Sequence, residues 1–158
     1  MLRIGLISDT HGLLRPEALA FLLGCDRIVH GGDIGGAEIL ERLAGIAPLT
    51  AVRGNNDVGA WAEPIPETAW LEAGGVRVHV LHDLALLALD PRAAGARVVV
   101  SGHSHRPRVE EREGVLFVNP GSAGPRRFSL PISIGELMIA ADGAVAARTV
   151  ELRPGPGA

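Results

Sequence analysis

Five short polar segments carry the residues of this chain that could do chemistry. They are Asp9-Thr10-His11, Gly31-Gly32-Asp33, Gly54-Asn55-Asn56-Asp57, His82-Asp83 and Gly102-His103-Ser104-His105. Their side chains mix carboxylate and carboxamide oxygens with imidazole nitrogens. That donor set suits Mn²⁺, Zn²⁺, Fe or Ni²⁺ and is a poor match for Ca²⁺ or Mg²⁺. Singly, each segment says little. An Asp-x-His pair is usually a polar loop, and Gly-Asn-Asn-Asp is an ordinary turn. Gly-Gly-Asp-Ile-Gly-Gly lacks phosphate-loop spacing, and its central carboxylate would repel a phosphate. Jointly they say more, because each follows an apolar run. Seven candidate ligands result: Asp9, His11, Asp33, one of the pair Asn55-Asn56, His82, His103 and His105. A single catalytic ion usually takes about three protein groups, so two ions sharing one carboxylate account for the set better.

The elements that must position these residues follow from the apolar pattern. Residues 2–8 read as a buried strand, and 16–23 as a helix with Pro16 in its first turn. Residues 27–30 form a second strand, followed by a helix over about 37–43 that Gly45 ends. Residues 47–54 form a third strand. This strand–helix alternation predicts a parallel sheet, and ligands gather beyond the carboxyl ends of such strands. Residues 68–83 then read as a hairpin turning at Gly74-Gly75. Further strands are expected within 96–105, 114–122, 133–140 and 144–152, with a hairpin turn at Asp142-Gly143. The expectation is a mixed-sheet α/β sandwich, in which residues 1–152 make one domain and 153–158 a disordered tail.

Composition narrows the function classes. The 158 residues carry a net charge of −3, which leaves no footprint for nucleic acid or an anionic membrane. All fifteen basic residues are Arg, and aromatic residues make up only 3%, so the core is aliphatic. Cys25 is the only cysteine; it follows an apolar run and reads as an inert buried thiol in a reducing compartment. The N-terminus reaches Asp9 too soon for a signal peptide, and no apolar run approaches the ~20 residues of a membrane span. A cytoplasmic protein is expected, with homo-oligomerisation left open.

In their order, these segments resemble the motifs of the calcineurin-like metallophosphoesterases, and Asn119-Pro120-Gly121-Ser122 is similar to a motif of the small bacterial phosphodiesterase branch. The resemblance implies a four-layer α/β/β/α sandwich with two mixed β-sheets. It implies that Asp9, His11 and His105 hold one metal ion and Asn55, His82 and His103 a second, with Asp33 bridging them. Mn²⁺ is the favoured metal. Two divalent ions less two carboxylates and a bridging hydroxide leave one net positive charge to meet a phosphate. Ions ~3.5–4 Å apart would acidify the water between them for in-line attack on phosphorus.

The chain departs from the family pattern at two places. Asn56 stands where the family more often has His as general acid. Asn cannot supply that proton, which removes a contribution of typically ~10²–10⁴ in rate. The expectation for Asn56 is a neutral donor beside a small phosphodiester substrate, with a plain turn residue as the alternative. Asp83 stands where the family usually has Gly; Asp tolerates unusual backbone angles, so the turn is expected to survive, and the alternative is a carboxylate that weakens binding of an anionic substrate. Asp57 is expected to support the loop, and His30 and His79 to be structural. Arg126 leads Arg53, Arg106 and Arg127 as a phosphate contact. The competing function is an interaction scaffold, similar to the retromer subunit of this family.

Overall fold

The computed structural model of the chain describes residues 1–154; the last four residues of the expected disordered tail, 155–158, lie outside the described residues. Ten strands form two five-stranded sheets. The first has the order β10 (Val145–Glu151), β9 (Ser133–Ile139), β1 (Leu2–Ile7), β2 (Arg27–His30), β3 (Leu49–Ala51). The second has the order β4 (Thr68–Ala73), β5 (Val76–Leu81), β6 (Val98–Val100), β8 (Val115–Asn119), β7 (Arg108–Arg112). Both are mixed. β1, β2 and β3 are parallel, as are β5, β6 and β8, while the remaining pairs are antiparallel.

Period-two alternation splits the apolar residues between two cores. Ile4, Leu6 and Val29 of the first sheet meet Val78, Val80, Val98, Val100 and Val118 of the second. The opposite face of the first sheet packs Ile28 and Ile134 against α1 (Pro16–Leu22) and α2 (Ala37–Ala44). These helices contribute Ala18 and Leu22, and Ile39 and Leu43, the i, i+4 stripe an amphipathic helix offers. Gly5 lets α1 sit close: a Cβ there would lie 2.3 Å from Leu22 Cδ2. Cys25 is buried in this second core, where desolvation pushes its thiol pKa up. On the outer face of the second sheet the helical layer is thin. Leu84 of a single 3₁₀ turn (Leu84–Leu86) and the adjacent Leu87 pack on Leu81, Val99 and Val115.

The two expected hairpin turns are present; Gly74 and Gly75 have φ of 57° and 77°, as a type I′ turn requires. A third hairpin, β7–β8, was not read from the sequence. Its strand, Arg-Val-Glu-Glu-Arg, is an edge strand with mostly exposed side chains, so it lacks a buried apolar face to betray it. Its turn, Glu113-Gly114, also has positive φ at both residues. Gly45 does end α2, though in right-handed rather than left-handed geometry. Asp83 is extended, at φ −111° and ψ 111°, so no unusual conformation is needed there. Among the described residues no helix is long and apolar enough to cross a membrane.

Candidate metal centre

The carboxyl ends of β1, β2, β3, β5 and β6 lie along one rim of the sandwich, and the loops leaving them are stitched together by backbone hydrogen bonds. Asp9 N–H donates to the Gly32 carbonyl at 3.0 Å, His11 N–H to Asp33 at 2.9 Å and Gly102 N–H to His82 at 2.9 Å. Asp57 completes the frame. Its buried carboxylate accepts from the backbone N–H groups of Ile34, Gly35 and Gly54, locking the third loop onto the second. The expected supporting role of Asp57 thus has a definite geometry.

All seven candidate ligands converge on this rim. Asp9, His11 and His105 present ligand atoms within 4.8 Å of one another, as do Asp9, Asp33 and His82. His11 Nε2 and His105 Nε2 face each other at 3.4 Å. Asp33 Oδ2 lies between the two halves, 3.8 Å from His11 Nε2 and 3.3 Å from His82 Nε2. On the far side Asn55 Oδ1 lies 3.0 Å from His82 Nε2 and 3.2 Å from His103 Nδ1. The His82 ring is oriented from behind, its Nδ1 being 2.7 Å from the Gly31 carbonyl. Donation to that carbonyl leaves the Nε2 lone pair facing the cluster.

The site is built for a cation. Asp9 Oδ2 accepts from Ser8 Oγ at 2.6 Å and from His103 N–H at 3.2 Å. Asp9 Oδ1 is buried with no hydrogen-bond partner, although His105 Nε2 approaches it to 3.3 Å. An orphaned carboxylate oxygen opposed by two imidazole nitrogens is costly without a positive charge among them. Protons answer part of this demand. Burial opposes charge on His82, but the hydrogen bonds with Asp33 and the Gly31 carbonyl and the charges of Asp9 and Asp33 together outweigh it and raise the His82 pKa. Burial pushes Asp33 up, yet the bonds from His82 and Asn56 hold it well below the carboxylate range. The backbone shows the same concentration of purpose. Of seven non-glycine residues with positive φ among those described, five are candidate ligands: Asp9, His11, Asp33, His103 and His105. Such strain gathers where function over-determines the backbone.

The structure brings Asn56 to the cluster, but its amide points at Asp33. Arg126 is exposed, and its neighbour Arg127 is the one whose charge bears on His11, opposing its protonation. Asp83 borders a cleft of about 300 Å³, shared with Asn55, His82, His103, Glu67 and Leu86. Its carboxylate lies 3.8 Å from His103 Nε2. His30 is fully buried, bonded to Thr10 and Gly32, and His79 is buried against Trp70. Sequence reasoning missed Ser8 and gave no role to Asn119 and Ser122, which it noted only as parts of a motif. Asn119 Nδ2 donates to the Gly102 carbonyl and Ser104 Oγ, and Ser122 Oγ donates to the Asp9 carbonyl. The Asn119-Pro120-Gly121-Ser122 motif was the available signal, since it supplies two of these supports.

Known proteins resemble the chain in sequence and in fold. Residues 2–142 match the model of the calcineurin-like phosphoesterase superfamily domain. A probable metallophosphoesterase of Methanothermobacter thermautotrophicus is 35% identical over 144 residues, covering 81% of each chain. Among solved structures, an archaeal phosphodiesterase superposes with a TM-score of 0.76 at 23% identity, covering 94% of this chain and all of that one. Vps29 of Chaetomium thermophilum gives 0.76 at 22% identity, over 95% of this chain and 97% of the other.

Proposed function

The chain belongs to the calcineurin-like phosphoesterase superfamily, and on that premise we propose that residues 1–152 form one metal-dependent domain that hydrolyses phosphodiesters in preference to monoesters. Asp9, His11 and His105 would hold one divalent ion, Asn55, His82 and His103 a second, and Asp33 both, with Mn²⁺ the favoured metal. Bound there, the ions would neutralise phosphoryl oxygens and acidify a water. The observation that carries the reading is Asp33 Oδ2, which lies between the imidazoles of the two donor sets.

The diester preference comes from this chain's own side chains. Asn56 has no proton to give a departing alkoxide, so turnover favours weakly basic leaving groups. Asp83 places a carboxylate in the cleft beside His82 and His103, whereas Glu67 on the same cleft is paired with Arg53 at 3.1 Å. The Asp83 charge opposes a dianionic monoester more than a monoanionic diester. Arg126 would be a cation to meet the phosphate. A purely assembling role, the alternative raised by the Vps29-like fold, leaves seven converging donors and an orphaned Asp9 oxygen without a purpose.

The test is metal content and turnover together. Purified protein should bind two equivalents of Mn²⁺ and hydrolyse bis(p-nitrophenyl) phosphate faster than p-nitrophenyl phosphate. Folded protein that takes up no metal and turns over neither ester would overturn the proposal, and a faster monoester would overturn the preference.

A further inference from the structure

Phe128 is 93% exposed and holds φ at 53°. Bulky residues rarely adopt positive φ, and this one joins no hydrophobic cluster among the described residues that would offset the strain. It is the first central residue of a turn closed by Leu130 N–H donating to the Arg127 carbonyl at 3.1 Å, a place where positive φ favours glycine. Strain at an exposed aromatic ring is unexplained by the fold itself.

The loop carrying Phe128 is anchored to the metal-centre rim. At its neck Ser133 N–H donates to the Ser122 carbonyl at 2.9 Å, and Ala123 N–H to Ser8 at 3.1 Å. Ser122 Oγ donates to Asp9, and Arg15 reaches the Gly124 carbonyl from the other side. Gly124 lies so close that a Cβ would sit 2.3 Å from the Thr10 carbonyl. Beyond this neck residues 125–129 are all exposed. The loop therefore rises on the Asp9–His11 side of the cluster. Asn55, Asn56 and the cleft by Asp83 occupy the other side, where a leaving group would depart.

Resting on the phosphodiesterase reading above, we infer that Phe128 is a stacking platform for a flat aromatic substituent on the retained side of the diester. The substrates are then phosphodiesters in which a nucleobase or aryl group stays with the phosphate. At this exposure the faces of the ring are open to solvent, which a packed conformation would not allow. A nucleobase suits the ring because every base offers a π-face and stacking needs no matched donors.

Two diesters with the same leaving group test this: thymidine 5′-(p-nitrophenyl phosphate) and methyl p-nitrophenyl phosphate, with the Mn²⁺-loaded full chain. The wild type should prefer the thymidine ester by about 5- to 100-fold in kcat/KM, the size base–aromatic stacking ordinarily gives. Phe128→Trp should keep that ratio. Phe128→Gly, which relieves the backbone and should melt no lower than the wild type, should collapse it through a raised KM for the thymidine ester. A wild type without the preference, or a preference that survives Phe128→Gly, overturns the inference. So does a preference that survives while sedimentation shows an oligomer lost, which would make Phe128 a contact between copies. Methyl ester turnover without base preference sinks Phe128 alone, whereas turnover of neither diester sinks the phosphodiesterase reading with it.

Discussion

Asn56 holds both oxygens of Asp33: its backbone N–H donates to Oδ1 at 2.9 Å and its side-chain amide to Oδ2 at 3.0 Å. The residue in the general acid's place therefore orients the carboxylate at the middle of the cluster. Partners that orient a ligand are typically worth ~10–100-fold in metal affinity. Asn56→Ala keeps the backbone bond and loses the amide, so calorimetric Mn²⁺ affinity should fall by roughly tenfold. Asn56→His offers a proton instead. It should speed a diester with a basic alkoxide leaving group by tenfold or more, of the ~10²–10⁴ that acid catalysis can supply, and leave p-nitrophenolate release nearly unchanged. Equal effects on both diesters would show that position 56 handles no leaving-group proton.

Strain at the ligands yields a second prediction, one of opposite sign for stability and binding. His103 sits at φ 70° with its side chain about half exposed, 47% by area, so its ring contributes little packing. Left-handed geometry costs a non-glycine residue ~1–2 kcal/mol. In the metal-free protein His103→Gly should raise Tm by about 2–4 °C, the shift that ~1 kcal/mol gives a domain of this size. The same variant should lose most of the Tm rise on adding Mn²⁺. His103→Ala is the control, since it removes the ring and keeps the strain. Equal melting of the Gly and Ala variants would show that the backbone there is relaxed.

The sequence was most legible where burial on both faces forced long apolar runs, as in β1 and β2, whose positions follow from their Ile, Leu and Val residues alone. It was least legible in β7, whose Arg and Glu side chains face solvent at a sheet edge, and at Asp83, where the Gly expected by resemblance suggested a turn that the extended backbone does not make. The candidate ligands were legible because each lies just past a strand, and strand order delivers them to one rim. Their supports were not. Ser8 is a common residue whose bond to its neighbour Asp9 depends on a side-chain orientation that sequence does not reveal, and Ser122 finds Asp9 only through the tertiary fold, from 113 positions away. The aim of the Asn56 amide was likewise undetermined, because nothing local distinguishes an amide facing substrate from one facing a carboxylate.

Asp83 tests the charge argument for diesters. Its carboxylate accepts from Ala85 N–H at 3.1 Å, capping the 3₁₀ turn, and faces the cleft with His103. Asp83→Asn can keep the cap and removes the charge, so stability should change by less than about 1 kcal/mol. KM should fall for both ester classes and fall further for the dianionic p-nitrophenyl phosphate, by a few-fold relative to the diester. The gap should narrow in high salt, which screens a half-exposed charge. An unchanged monoester-to-diester ratio would remove Asp83 from the account of selectivity.

The last prediction concerns acid, and rests on a histidine outside the cluster. Gly32 N–H donates to His30 Nδ1 at 3.0 Å, and Thr10 Oγ1 donates to the Ile34 carbonyl at 2.8 Å. His30 Nε2, 3.0 Å from that hydroxyl, must therefore be the protonated nitrogen, donating to it in a neutral ring. A second proton at Nδ1 would break the Gly32 bond and bury a charge. Desolvation accordingly lowers the His30 pKa from 6.5 to about 4, against the pull of Asp9 and Asp57. Between these values the unfolded chain binds the proton and the folded chain does not, so stability rises with pH across the window. The contribution is complete above about pH 6.5 and is lost as pH falls towards 4, to a total of about 3 kcal/mol. Burial also lowers His11 and His79, which adds to the slope, while the raised pKa of His82 opposes it. Metal-free wild type and His30→Gln should therefore be compared by urea unfolding from pH 7 to 4. The variant should be less stable at pH 7 and lose less on acidification. Parallel curves, or an NMR titration of the His30 ring near pH 6.5, would show that the ring carries no such linkage.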